Sequence, residues 1–178
     1  MVNSFLMNYY KVKIGNCKNI NGLLFIRNLG NISIGDNFKV NSGINYNTIG
    51  GDIITRLITS HGGKLVIGNN VGISNSTIYC INSIEISDNV YIGGGCKIWD
   101  TDFHSLNPIE RVYLGDKKIK SYPILIEESV FIGASSIILK GVKIGKNSII
   151  GAGSVVTKDV PSNEIWAGNP AKFIKSII

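Results

Sequence analysis

The sequence predicts an all-β chain wound as a parallel β-helix, and three observations predict it. From Ile126 to Val156 a β-branched residue stands at 126, 132, 138, 144, 150 and 156, every sixth position without a slip. Glycine follows the aliphatic residue at 15, 35, 68, 93, 133, 145 and 151. Four places after the aliphatic residue stand Val71, Thr77, Ser83, Val90, Cys96, Val130, Ser136, Val142, Ser148, Ser154 and Val160, all small or β-branched. A period of six fits neither a helix at 3.6 nor a half-buried strand at 2. It fits a short strand and a sharp turn, three of which bring the chain round a triangular coil of about 18 residues. Six such coils, stacked about 4.8 Å apart, make a prism roughly 30 Å long.

The elements follow in order along a single domain, 1–178. Ile14, Ile20 and Ile26 open the register, and Ile34, Val40 and Tyr46 make a second weak coil. Between Tyr46 and Ile67 the pattern blurs, so GGDIITRLITSHGGK reads as an imperfect coil with a bend. Ile67, Ile73 and Tyr79, then Ile86, Ile92 and Ile98, continue it. From Ile98 to Ile126 the gap is 28 residues, more than one coil needs. Continuing inward from Ile98 would bury the Asp102 carboxylate unpaired, which is costly. The chain therefore leaves the prism at Trp99 or Asp100, and residues 100–123 form a projecting loop, the kind of element on which sites are placed. The tail, 161–178, covers the last coil as a short helix or arm. In the helical version Asn169 caps, Pro170 opens the first turn, and Lys172 and Lys175 lie on one side.

Composition excludes several classes. The net charge of +6 is compatible with an anionic ligand, but the longest basic cluster, Lys117 to Lys120, is too short and too poor in aromatics for a nucleic-acid stripe. No apolar run reaches the roughly 18 residues of a membrane span, and the N-terminus lacks signal-peptide layout, so a cytoplasmic chain with no integral membrane segment is expected. Cys17, Cys80 and Cys96 are odd in number, far apart and without a CxxC, which predicts reduced, structural thiols and no zinc knuckle.

The [LIV]-Gly-x-x-small-x pattern, recurring over nearly the whole chain, resembles the hexapeptide-repeat acyltransferases. The resemblance implies a left-handed coil, unusual because parallel crossovers are otherwise right-handed. Within that family the chain looks like the sugar O-acetyltransferase branch, where a histidine at the head of such a loop is the catalytic base. DTDFHSLNP, carrying His104, is similar to the version in enzymes that acetylate surface polysaccharides. The chemistry calls for such a group: a sugar hydroxyl attacks a thioester at neutral pH when a base with a pKa near 6.5 takes its proton. His61, in SHGGK, reads as a turn residue. Asp100 and Asp102 flank the loop exit; either can hold the imidazole tautomer, receive the acceptor or cap a turn, and Asp102 is the favoured partner. Asn75, in approximate register with His104, matches an asparagine that helps bind the acceptor in the galactoside and maltose enzymes. The acidic pair that follows in those enzymes is replaced here by Cys80 and Ile81. Loop residues Arg111, Tyr113 and Tyr122 can also reach a sugar.

For the donor, the resemblance places acetyl-CoA along the outside of the C-terminal coils, beside Ala134, Ala152, Thr157 and Lys158, with Lys172 and Lys175 at its phosphates. Small side chains let a linear ligand approach a strand edge, and lysine offers phosphate a charge. Trp166 can stack on adenine or pack on the coil. The family forms homotrimers with sites shared between neighbours. The expected function is acetyl transfer to a sugar or oligosaccharide hydroxyl, without a metal. Two rivals share the fold: N-acetylation of a nucleotide-linked amino sugar, and a zinc hydratase of carbonic-anhydrase type. The hydratase needs three histidine ligands, and this chain has two histidines. The amino-sugar enzymes usually carry an N-terminal nucleotide-binding βαβ unit, of which no trace precedes Ile14. Serine O-acetylation wants a helical N-terminal domain that this sequence does not show.

Overall fold

A computed structural model describes residues 2–16 and 18–177. Cys17, expected to be a structural thiol, lies outside the described residues. The inward isoleucines stack in three columns, and each column belongs to one parallel sheet. The first face has six strands, from Lys13–Ile14 and Asn31–Ile34 up to Ile124–Ile126 and Lys143–Ile144. The second has eight, from Asn19–Asn21 and Lys39–Asn41 through Tyr91–Ile92 and Phe131–Ile132 to Glu164–Ala167 and Lys172–Ser176. The third has six, from Phe25–Asn28 and Arg56–Thr59 through Thr77–Cys80 and Lys97–Trp99 to Ile137–Ile138 and Val155–Val156. The result is the left-handed parallel β-helix of hexapeptide repeats.

The register shows why six is the period. Ile34, Ile67, Ile86, Ile126 and Ile144 are successive partners on the first face. Val40, Ile73, Ile92, Ile132 and Ile150 repeat this on the second. All are buried, so every coil covers the apolar face of the coil below. The small-residue slots hold buried serines whose hydroxyls tie coils together: Ser136 donates to the Gly133 carbonyl at 2.8 Å and the Gly151 carbonyl at 3.1 Å.

Two assignments of the register need correction. Ile98 pairs with Ile78, not Tyr79, and the buried small residue beside it is Ser76, not Thr77. The corner between Ile73 and Ile78 is one residue shorter than its neighbours, turning sharply at Asn75 with φ 37°. Tyr46 is exposed, and Leu57 takes the inward slot of that coil, paired with Ile26 and Ile78. Seventeen residues thus separate Val40 from Leu57 where six suffice elsewhere, and the surplus forms an excursion at residues 43–55. The larger surplus, between Ile98 and Ile126, spans a single corner of the prism.

Both ends of the prism are covered. Helix α1 (Val2–Tyr9) buries Met7 under the first coil, and its Asn3 side chain bonds the Gly22 carbonyl and the Leu24 N–H. This helix was not anticipated; at eight residues it is too short to be stable alone and draws its stability from packing. At the other end no helix forms. Asn169 and Pro170 join by a cis peptide in the turn of an antiparallel hairpin, Glu164–Ala167 with Lys172–Ser176, so the arm replaces the helical alternative.

Candidate functional site

Loop 100–123 leaves the corner between the third and first faces, and its neck is a short antiparallel ladder. Tyr122 N–H donates to the Asp100 carbonyl and Asp102 N–H to the Lys120 carbonyl, both at 3.0 Å, with Thr101 bridged to Ser121 between them. Asp100 is fully buried and accepts from the N–H groups of Ile81 at 2.9 Å and Asn82 at 2.8 Å. Its carboxylate anchors the neck to the coil below and has no face for a substrate, which corrects its assignment as an acceptor ligand. The Cys80 thiol, 3.4 Å from the same carboxylate, is pushed strongly upward in pKa by burial and then by that charge, so it stays protonated. Cys96 is likewise buried and raised by desolvation.

Beyond the neck the loop is built rather than slack. Asn107 caps helix α2 (Pro108–Tyr113), accepting from the N–H groups of Ile109 and Glu110. Glu110 is buried and pairs with Lys118 at 2.6 Å, and Arg111 donates to the Ser105 carbonyl at 2.7 Å. Phe103, at φ 62°, packs against Tyr79 and Trp99 with centroids 5.1 and 5.7 Å apart, pinning the loop head to the third face.

His104 follows directly, its side chain 70% exposed. Its Nδ1 lies 2.5 Å from Oδ2 of Asp116, while Oδ1 of Asp116 accepts the Ser105 N–H at 2.6 Å. The backbone N–H of Ser105 first, and the His104 ring second, hold the Asp116 carboxyl below its ordinary range. An ionised carboxylate only accepts, so Nδ1 carries the hydrogen and Nε2 of a neutral ring presents its lone pair. The partner of the imidazole is therefore Asp116 and not Asp102, which instead pairs with Lys140 of the coil above at 2.5 Å. Asp116 escaped the sequence reading because it lies twelve residues downstream, beyond α2; the available signal was the Gly115-Asp116 turn that returns the chain after a capped helix.

Asn75 is not near His104. It sits on the corner between the second and third faces, fully buried, with its side chain spent on backbone: Oδ1 accepts from Gly43 N–H at 2.6 Å, and Nδ2 donates to the carbonyls of Asn47 at 3.0 Å and Gly51 at 3.2 Å. It holds the 43–55 excursion in place, which corrects its assignment as a sugar ligand. His61 occupies a turn at φ 53°, bonded to Ser60, as expected.

The donor residues divide between two edges of the prism. Ala134 and Ala152 stack on the corner between second and third faces, where Gly153 N–H donates to the Ala134 carbonyl at 2.8 Å. Thr157 and Lys158 lie exposed on the corner between third and first faces, the corner from which the His104 loop departs. Trp166 is buried, bonds Glu164 through Nε1 at 2.6 Å and lies under the Lys158 ammonium, 5.3 Å from the ring centroid; it closes the last coil. Lys172 and Lys175 are exposed on the final strand. They pair with Ala167 and Ile165, alternate residues on one side of the facing strand, so a bulge brings the two lysines onto one side as a helix would have done.

Comparison with known proteins adds the relatives. The family model described as the hexapeptide repeat of succinyl-transferase matches residues 123–158. Protein CapG of Staphylococcus aureus is 49% identical over 84 residues, covering 47% of this chain and 42% of CapG, so the match spans less than half of that relative's length. Among solved structures, a point mutant of AntD, an N-acyltransferase from Bacillus cereus in complex with dTDP and coenzyme A, is 25% identical with a TM-score of 0.74 over 97% of this chain and 88% of AntD. A galactoside acetyltransferase in complex with coenzyme A is 28% identical with a TM-score of 0.67 over 98% of this chain and 69% of that one. The repeat and the fold are those of the hexapeptide-repeat acetyltransferases.

Proposed function

We propose that this hexapeptide-repeat prism is an acetyl-CoA-dependent O-acetyltransferase that esterifies a hydroxyl of a sugar or oligosaccharide, in cytoplasmic assembly of a surface polysaccharide. The observation that carries the reading is the exposed His104 ring, fixed through Nδ1 by Asp116 with Nε2 free. The hydroxyl oxygen attacks the thioester carbonyl as Nε2 takes its proton. The tetrahedral adduct collapses, the C–S bond breaks, and the imidazolium returns the proton to the departing thiolate. Relatives solved with coenzyme A support the donor, as do the small residues Ala134 and Ala152 and the exposed cations Lys158, Lys172 and Lys175.

A homotrimer accounts for the split donor residues. Ala134 and Ala152 occupy one edge, His104, Thr157 and Lys158 another; in three-fold packing, one chain's edge meets the other edge of its neighbour, and the reaction proceeds in the cleft between them. A second reading, acetylation of an amine on a nucleotide-linked sugar, is favoured by the likeness to AntD with its bound dTDP. Incubation with labelled acetyl-CoA and a panel of hexoses, oligosaccharides and nucleotide amino sugars separates the two. A base-labile ester is the expected product, and a base-stable amide would replace the first reading by the second. His104→Ala should lower kcat by roughly 10² to 10⁴ while calorimetry finds acetyl-CoA still bound; undiminished turnover removes the imidazole from the mechanism.

A further inference from the structure

The excursion at residues 43–55, with Gly22 and Leu23 of the first coil and Val2 and Asn3 of α1, lines an open cleft of about 590 Å³, within the range of roughly 300 to 1,000 Å³ found for small-ligand sites. Leu23, Ile44, Tyr46 and Ile54 give it apolar walls, and Asn45 and Asp52 stand at them as polar groups. Asp52 is the one charged residue among those lining it. The excursion does not hang loose: Asn75 holds it at Gly43, Asn47 and Gly51, and Asn47 Oδ1 accepts Gly50 N–H at 2.8 Å.

Its upper end meets the small-residue edge. A Cβ on Gly94 would lie 2.7 Å from the Cα of Gly50, so the two backbones touch where no side chain fits. Directly above Gly94 the same edge continues through Ser135, whose N–H donates to the Gly94 carbonyl at 2.8 Å, and then through Ala134 to Gly153 and Ala152. A linear donor laid down this edge from the C-terminal coils therefore ends its run at the excursion. The coil that supplies Gly94 is also the coil whose next corner releases the His104 loop, so the thioester end and the base stand at one height along the prism.

We infer that the 43–55 excursion is the acceptor-recognition element, and that its cavity takes an uncharged sugar ring with an apolar face, such as a neutral hexose or N-acylhexosamine unit. This rests on the acetyltransferase reading. Tyr46 covers the apolar face of the ring, with its hydroxyl at the wet rim, and Asn45 and Asp52 accept or donate to hydroxyls. Among the described residues the cavity lining holds no cation, so a carboxylate or phosphate placed there would meet Asp52 without compensation.

The test compares Tyr46→Ala, Tyr46→Phe and Asp52→Asn with the native chain, using p-nitrophenyl hexosides, N-acetylglucosamine and N-acetylneuraminic acid as acceptors. Expected are transfer to neutral sugars over the acidic one, and an acceptor KM raised roughly tenfold by Tyr46→Ala and nearly restored in Tyr46→Phe, with KM for acetyl-CoA unmoved. Equal use of the acidic sugar, or an acceptor KM unaffected by Tyr46→Ala and Asp52→Asn, overturns the assignment. If the native chain binds acetyl-CoA yet acetylates none of these, the transferase reading fails by itself. Saturation-transfer NMR then decides the cavity alone: neutral-sugar signal lost in Tyr46→Ala upholds it, and no signal in the native chain rejects it.

Discussion

Asp116 makes two contacts at once, to His104 and to Ser105, and so sets both the tautomer of the base and the path of the chain beside it. Asp116→Asn removes the charge and lets the ring invert its tautomer, and its cost is bounded by the roughly 10² to 10⁴-fold that a general base contributes. A kcat loss within that bound is expected, without change in acetyl-CoA affinity; a rise in acetyl-CoA KM with kcat intact would give Asp116 a binding role instead. Because its folded pKa lies below the ordinary carboxylate value, the contribution of Asp116 to loop order is complete above the unfolded range and disappears as pH falls through the depressed value. The Ser105 amide resonance, followed by NMR, should titrate with a midpoint below the ordinary carboxylate value of about 4. A midpoint at or above that value removes the anchor. Asp102 and Asp100 illustrate the reverse lesson. Two acidic residues beside the histidine in sequence were its natural partners on paper, yet Asp102 pairs with Lys140 of the coil above and Asp100 accepts from the backbone of the coil below.

At the scale of elements, the C-terminal hairpin replaces a helix and still gathers Lys172 and Lys175 on one side through its bulge. Lys172→Glu should therefore raise the KM for acetyl-CoA more than for dephospho-acetyl-CoA, which lacks the 3′-phosphate; equal effects on both detach this strand from the nucleotide. The segment AGNPAK, residues 167–172, carried both helix-start and turn signals, Pro170 being at home in either, and the pairing strand that chose between them, Glu164–Ala167, lies before that window in all but its last residue. Hexad periodicity was legible wherever six residues separate inward positions, which covers residues 14–26, 34–40, 67–73, 86–98 and 126–156. It misled at Tyr79 and Tyr46, where one corner is short and another is overlong, since counting by six cannot see a corner of a different length. Loop 100–123 was legible as a departure; its internal carboxylate contact was not, because that contact closes only after α2 has turned the chain back.

For the whole molecule, the separation of Ala152 and His104 onto different edges predicts complementation. If the chain assembles as the trimer proposed above, His104→Ala and Ala152→Trp should each be nearly inactive alone, and random co-assembly in equal amounts should restore about a quarter of all sites, one of the three in each mixed trimer. Absence of recovery despite mixed trimers, verified by mass, would place the two edges in service of one chain. The core itself is a stack of coils in which each covers the next, so truncating one inward side chain, such as Ile132→Ala, leaves a cavity that no neighbour can fill, and a loss of about 2 to 5 kcal/mol by denaturant titration is expected. Both segments that depart from the prism, 43–55 and 100–123, leave at a corner and return to the column they would have entered anyway. Either can lengthen, shorten or be exchanged for foreign sequence without rethreading a single inward residue. Descendants of such a chain are thus free to change which molecules they handle while inheriting an untouched scaffold.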